Sequence, residues 1–220
     1  MRIRFTRHLY PGFIASYVLC TSVGMAQDGW ELKKDRDGVR IYTRKVTGSV
    51  FHECRGETTV DAPLPALVAV YQDVAAYPEW MPNLGEARLL DALGDTLHVQ
   101  YIVNPAPWPV ADRDAVYVFR YRRNPETGGV AIDMESSPDF LPAFDGNVRI
   151  ERALGSYRFT PREDGTVDVL FRMHVEPGGN IPALFVNMSL VSGPFKTLSR
   201  LRERARLAKY RGATFSFFRE

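Results

Sequence analysis

The chain has 220 residues, 45% of them hydrophobic and 12% aromatic, with 28 Lys and Arg against 26 Asp and Glu. A length of this order suits one domain with one sizeable core, and so even a charge balance gives no reason to expect a nucleic-acid partner. Two cysteines in the whole chain exclude a disulfide-built scaffold.

The first eight residues are basic, the run from Leu9 to Met25 is mostly apolar, and Gly24-Met25-Ala26 supplies small residues. That order predicts a secretory signal peptide over residues 1–26, cleaved near Ala26. Tyr10, Pro11, Gly12 and Tyr17 make the stretch a poor bilayer crossing. The three residues before Cys20, Tyr17-Val18-Leu19, lack the small side chains expected ahead of a lipid-modified cysteine. The expected product is exported and periplasmic. It carries 25 basic against 26 acidic residues and a single cysteine, Cys54, so it has no intramolecular disulfide.

One domain is expected over residues 27–210, followed by a short tail over 211–220. Trp30 to Lys34 reads as a first strand. Val39 to Arg44, alternating apolar with polar, reads as a second, and about 51–60 as a third. Asp61-Ala62-Pro63 opens a helix with Asp61 as its cap, and Tyr77-Pro78-Glu79-Trp80 starts a second, short one. Strands follow at about 86–92, 96–104, 112–124, 129–137, 147–160 and 166–176. The last element is a helix from about Pro182 to Lys209. Its apolar stripe is Leu184, Met188, Val191, Phe195, Leu198, Leu201 and Ala205, interrupted at Gly193-Pro194. Many consecutive antiparallel strands with two helices inserted early predict an α+β fold around a strongly curved sheet.

The most informative stretch is Pro107-Trp108-Pro109-Val110-Ala111-Asp112-Arg113-Asp114, running into the aromatic strand Ala115 to Tyr121. Prolines at 105, 107 and 109 stiffen a loop that carries Trp108. Arg113 is in phase with Tyr117 and Phe119 on one strand face, so an interior face would bury its charge.

This stretch resembles the proline–arginine–aspartate signature of START (steroidogenic acute regulatory protein-related lipid transfer) domains. So do the entry strand Asp37-Gly38-Val39-Arg40-Ile41-Tyr42, the Asp73 to Trp80 run and the Gly178-Gly179-Asn180-Ile181-Pro182 lead into the final helix. The resemblance implies a helix-grip fold, a curved antiparallel sheet wrapped around the long C-terminal helix. It also implies an internal cavity that binds a lipid or other hydrophobic molecule without covalent chemistry, with transfer of that molecule as a further expectation. In that reading Arg113 orients the ligand's polar end. Val99 and Tyr101 line the cavity from one strand, Tyr117 and Phe119 from the next, and Leu184, Met188, Val191 and Phe195 from the final helix. Trp108 and its loop act with that helix as a gate. Many START domains pair this arginine with an acid on the neighbouring strand. Here Leu97 to Val103 contains none, which leaves Glu135, Asp139 or Tyr101 as replacements, or Asp112, Asp114 and backbone carbonyls as structural partners.

No catalytic motif accompanies these features. There is no nucleophile elbow, phosphate-cradling glycine loop or Cys-x-x-Cys. His52, His98 and His174 fall on three separate expected strands, so no metal and no cofactor is expected. The expectation is a non-enzymatic monomer that touches membranes only transiently. Two other classes remain open: a cyclase or aromatase of related fold, and a ligand-sensing adaptor presenting an exposed Phe215–Phe218 tail.

Overall fold

The computed structural model describes residues 29–218, so the expected signal peptide lies outside the described residues. Ten strands are present there: β1 (Glu31–Arg36), β2 (Val39–Arg44), β3 (Glu53–Val60), β4 (Glu86–Leu93), β5 (Leu97–Asn104), β6 (Asp112–Arg123), β7 (Val130–Ser136), β8 (Asn147–Arg149), β9 (Arg152–Pro161) and β10 (Val167–Glu176). Helices α1 (Leu64–Gln72) and α2 (Tyr77–Trp80) follow β3, and α3 (Ala183–Arg204) follows β10. The strand order is β1-β2-β3-β10-β9-β7-β6-β5-β4, antiparallel throughout, with β8 beside β6 in parallel. After β3 the chain crosses by α1 and α2 to the far edge and returns hairpin by hairpin until β10 pairs with β3, which leaves β1 and β4 as the two edges. This is the expected helix-grip architecture.

Alternation sets the inner face. Val39, Ile41 and Thr43 of β2 point inward, opposite Thr58, Gly56 and Cys54 of β3. Their β10 neighbours are Val169, Phe171 and Met173. On β6 the inner set is Arg113, Ala115, Tyr117, Phe119 and Tyr121, the phase expected from sequence. The helix α3 lies across β2 and β3, burying Leu198 and Leu201 completely. Burial also pushes the Cys54 thiol up to about 12, which makes it an inert core group.

Several local expectations are corrected. The stretch 147–160 is two strands, because the Ile150 amide donates to the Asp114 carbonyl and ends the parallel pairing before the chain turns to pair with β7. Asp61 does not cap α1. Pro63 holds the cap position, and the Asp61 carboxylate instead accepts from Arg206 at 3.0 Å. The final helix stops at Arg204, and a short 3-10 turn (Ala208–Tyr210) replaces its expected last residues. Nor are the aromatic residues of the tail exposed. Phe215 and Phe217 are buried in the core and stacked on one another, and Tyr210 donates to Asp73 at 2.7 Å.

Candidate functional site

A cavity of about 200 Å³ lies between α3 and the inner face of the sheet. Its sheet-side wall includes Tyr117 and Phe119 of β6, Met134 of β7, Tyr157 of β9 and Phe171 of β10. Tyr71 of α1, Tyr77 of α2, the Met81, Pro82 and Leu84 stretch after it, and Ile102 and Asn104 of β5 also line it. From α3 come Gly193, Pro194, Thr197 and Leu198. No charged side chain lines it.

The aromatic wall is tightly keyed. Tyr157 stacks on Phe171 with centroids 4.7 Å apart and lies 4.4 Å from Tyr71. Tyr77 and Tyr121 both donate to the Tyr71 main-chain carbonyl, one of the carbonyls left without an in-helix donor at the end of α1. Burial drives the Tyr71, Tyr77, Tyr117 and Tyr157 phenols upward, so all four are neutral O–H groups at any ordinary pH. Burial also lowers the pKa of His98, whose ring lies edge-on to Tyr121 with centroids 5.3 Å apart.

Of the residues proposed from sequence, Tyr117 and Phe119 line this cavity. Val99 and Tyr101 do not; they face the opposite side of the sheet in a second cluster with Val116 and Leu141. The expectation put the apolar set of β5 on the inner face. In fact the 137–146 segment covers the outer side, with Phe144 edge-on to Tyr101 at 5.3 Å. Both faces of β5 are therefore dry, and His98, Gln100 and Ile102 take the inner one.

Arg113 is interior and 7% exposed, yet outside the cavity wall. Its guanidinium donates to the carbonyls of Ala111 at 2.6 Å and Gly178 at 3.3 Å. Among the described residues no carboxylate comes within ion-pair distance. The partners are thus backbone carbonyls, which tie the base of the β5–β6 loop to the turn before α3. The acid beside it, Asp114, is committed elsewhere. It accepts from Arg149 Nε at 3.0 Å and Nη2 at 2.9 Å and from Tyr101 Oη at 3.1 Å.

The first half of α3 departs from the expected stripe. Leu184 and Met188 are exposed, as is Phe185, while Val191 and Phe195 are partly buried against the core. Sequence reasoning missed Gly193, Pro194 and Thr197. Their signal was phase: they share a face with Leu198 and Leu201, and small or short side chains on a buried helix face leave space beneath it. Trp108 stands 93% exposed at the tip of its loop and touches no part of the cavity wall.

A family model described as START domain matches residues 15–211. The chain is 42% identical to a STAR-related lipid transfer protein from Xanthomonas axonopodis, with a TM-score of 0.76 over 82% of this chain and 100% of that one. It is 32% identical to an uncharacterized protein of Pseudomonas aeruginosa over 82% of this chain and 88% of that protein. Human StAR-related lipid transfer protein 5 shares the fold at 18% identity, with a TM-score of 0.69 over 82% of this chain and 88% of that one.

Proposed function

The chain belongs to the START domain family, and from that premise we propose that it binds an apolar small molecule non-covalently in the cavity under α3 and carries it as an exported, periplasmic protein. The observation that carries the reading is the cavity itself, an uncharged and largely apolar hollow lined on one side by a helix that is unevenly anchored. Burying a ligand's apolar surface contributes on the order of 25 cal/mol per Å² before binding costs.

Uneven anchoring supplies an entrance. The second half of α3 is held by buried Leu198 and Leu201 and by arginines. Arg200 donates to the Trp80 carbonyl at 3.0 Å, and Arg204 to Glu79 at 2.6 Å. In the first half Leu184, Phe185 and Met188 are exposed, and Asn187 bonds the Val50–His52 loop. Pro194 has no N–H, so the helix lacks a hydrogen bond to the Leu190 carbonyl where the two halves meet. At about 200 Å³ the chamber is smaller than the roughly 300–1,000 Å³ of typical ligand sites. A larger lipid therefore enters by displacing the first half of α3 about this joint. The Arg113–Gly178 bond couples that half to the Trp108 loop, whose exposed indole, with Leu184 and Phe185, suits brief contact with a lipid surface. No helix among the described residues is long and apolar enough to cross a membrane.

The test is native mass spectrometry of protein purified without detergent from its own cells, followed by solvent extraction. The expected spectrum shows a chain beginning near Gln27 with an extractable apolar adduct. A bare chain that also takes up nothing from a lipid extract of the same cells contradicts the binding reading, and an intact Met1 contradicts export.

A further inference from the structure

The first half of α3 runs from the turn at Gly178-Gly179 to the joint at Pro194, and little holds it to the sheet. Leu190 and Val191 are only partly buried against the core, and a Cβ on Gly193 would meet nothing within 4 Å. Among the described residues, Asn187 is the one side chain of residues 183–193 whose hydrogen bonds leave the helix. Ser189 bonds back to the Val186 carbonyl at 2.7 Å. The side-chain polar hold on this half therefore passes through a single amide.

The segment between β2 and β3 is shaped to receive that amide. It is folded on itself: the Ser49 N–H donates to the Val46 carbonyl at 3.1 Å and the Phe51 N–H to Ser49 Oγ at 3.1 Å. Gly48 takes the positive φ, 81°, that the turn requires. The Val50 carbonyl and the His52 N–H are left free, two residues apart, as the pair of groups that a neighbouring strand would use. Asn187 supplies both halves of such a strand. Its Oδ1 accepts from the His52 N–H at 2.9 Å, and its Nδ2 donates to the Val50 carbonyl at 3.2 Å. Turning the amide over would set donor against donor, so its orientation is fixed by its partners. On its far side the segment is seated on β10. His174 Nδ1 lies 3.3 Å from the His52 carbonyl oxygen and Nε2 3.7 Å from Glu176, which pairs with Arg152 at 2.7 Å. The segment is the fixed jaw, and the helix is the part that moves.

We propose that Asn187 is the catch on the entrance: its amide clasps the Val50–His52 edge, and release of that clasp limits how fast a ligand passes into and out of the cavity. This rests on the binding reading above and adds the residue that controls exchange. Neither Asn187 nor its partners line the cavity, and the clasp closes over an empty and a filled chamber alike. It therefore cancels from the equilibrium and sets only the rates. The Trp108 loop is worse placed for this role, because its link through Arg113 to Gly178 is longer, at 3.3 Å, and ends before α3 begins.

The full chain is compared with Asn187→Leu, in which leucine is close to asparagine in volume and favours the helix more, so folding is retained. Hydrogen exchange, which needs no ligand, is read first. Amides of residues 183–193 exchange roughly five- to thirtyfold faster in the variant, the range of two part-exposed neutral hydrogen bonds, while those of 195–204 are unchanged. Stopped-flow mixing with the neutral fluorophore N-phenyl-1-naphthylamine then gives the association and dissociation rates. Both rise by that same factor, and Kd stays within about twofold of the wild type. Asn187→Ala, which removes the clasp and adds no side chain to place, gives the same two results, and Ser189→Ala gives neither. Exchange that is unchanged over 183–193, or faster over the whole helix, overturns the proposal. So does a dissociation rate that rises alone, which would make Asn187 a ligand contact. If the wild type binds no fluorophore, the binding reading falls and takes the proposal with it. If it binds and the Asn187 variants exchange no faster, the proposal alone falls.

Discussion

Replacing Asp114 by alanine lowers the stability of the fold by about 3–5 kcal/mol, the cost of leaving a buried charge without its partner. Asp114 is 1% exposed and lies in register with Arg149 where β8 runs beside β6. The Arg149 guanidinium donates twice to that carboxylate, and it also donates to the carbonyls of Pro138 at 2.6 Å, Leu141 at 2.9 Å and Pro142 at 3.1 Å. The pair therefore pins the 137–146 segment over the outer face of β5 and β6. The bond to Asp114 raises the Arg149 pKa, and burial, followed by the Asp114 carboxylate, raises that of Tyr101. With alanine at 114 the guanidinium must be pulled into water, and the segment over Val99 and Tyr101 lifts with it. In thermal unfolding the midpoint drops by roughly 6–20 °C for a domain of this size. Tyr101→Phe removes only one of the three donors and costs about 1 kcal/mol. Equal losses in the two variants would show that the ion pair is not what holds this layer.

Gly56→Val gives the second large effect, and its sign separates two physical terms. Strand propensity favours valine over glycine by up to about 1 kcal/mol. Packing opposes it: a Cβ at position 56 would lie 2.5 Å from Leu198 Cδ1 and 3.2 Å from Ile41 Cδ1, both on fully buried side chains with nowhere to move. Gly56 is the point at which α3 closes on the sheet, so overpacking there pushes the helix outward. The expected net loss is about 3 kcal/mol. Leu198→Ala alone costs about 2–5 kcal/mol through the cavity it leaves. In the double variant the two changes relieve one another, and its loss falls short of the sum by at least about 1 kcal/mol. Additivity within about 0.5 kcal/mol would mean that Leu198 and Gly56 do not meet.

The elements that were legible in the sequence are those whose two faces differ in polarity. β2 could be phased because apolar Val39 and Ile41 alternate with Arg40 and Tyr42, and the motif from Pro107 to Asp114 pointed to the right family. β5 was misread for a physical reason: an outer layer dries its second face, so the apolar set Val99 and Tyr101 goes outward and Gln100 goes in. Arg113 was correctly expected inside, but its binding to main-chain carbonyls, and the transfer of the ion pair to Asp114 and Arg149, depend on a parallel contact that sequence spacing does not encode. On α3 the apolar stripe held from Leu198 onward. Leu184 and Met188 continue the pattern yet find no surface to pack on, since the helix runs past its dense contact with β2 and β3. The Phe215 and Phe217 tail sits beyond every periodic element, so only the tertiary structure shows it packed in.

The central claim is that the space beneath Gly193, Pro194 and Thr197 is the ligand site. Thr197 lines the cavity from α3, and its hydroxyl bonds only the Gly193 carbonyl at 3.2 Å. Thr197→Phe projects a ring into the chamber, so it fills the site while leaving Leu198 and Leu201 in place. The deciding measurement is the affinity of a fluorescent apolar ligand for this variant and for the wild type, with the unfolding midpoint of each recorded alongside. The account predicts a variant at least as stable as the wild type to within about 1 kcal/mol, with binding weakened tenfold or more. A well-folded Thr197→Phe variant that binds as tightly as the wild type would place the ligand somewhere else.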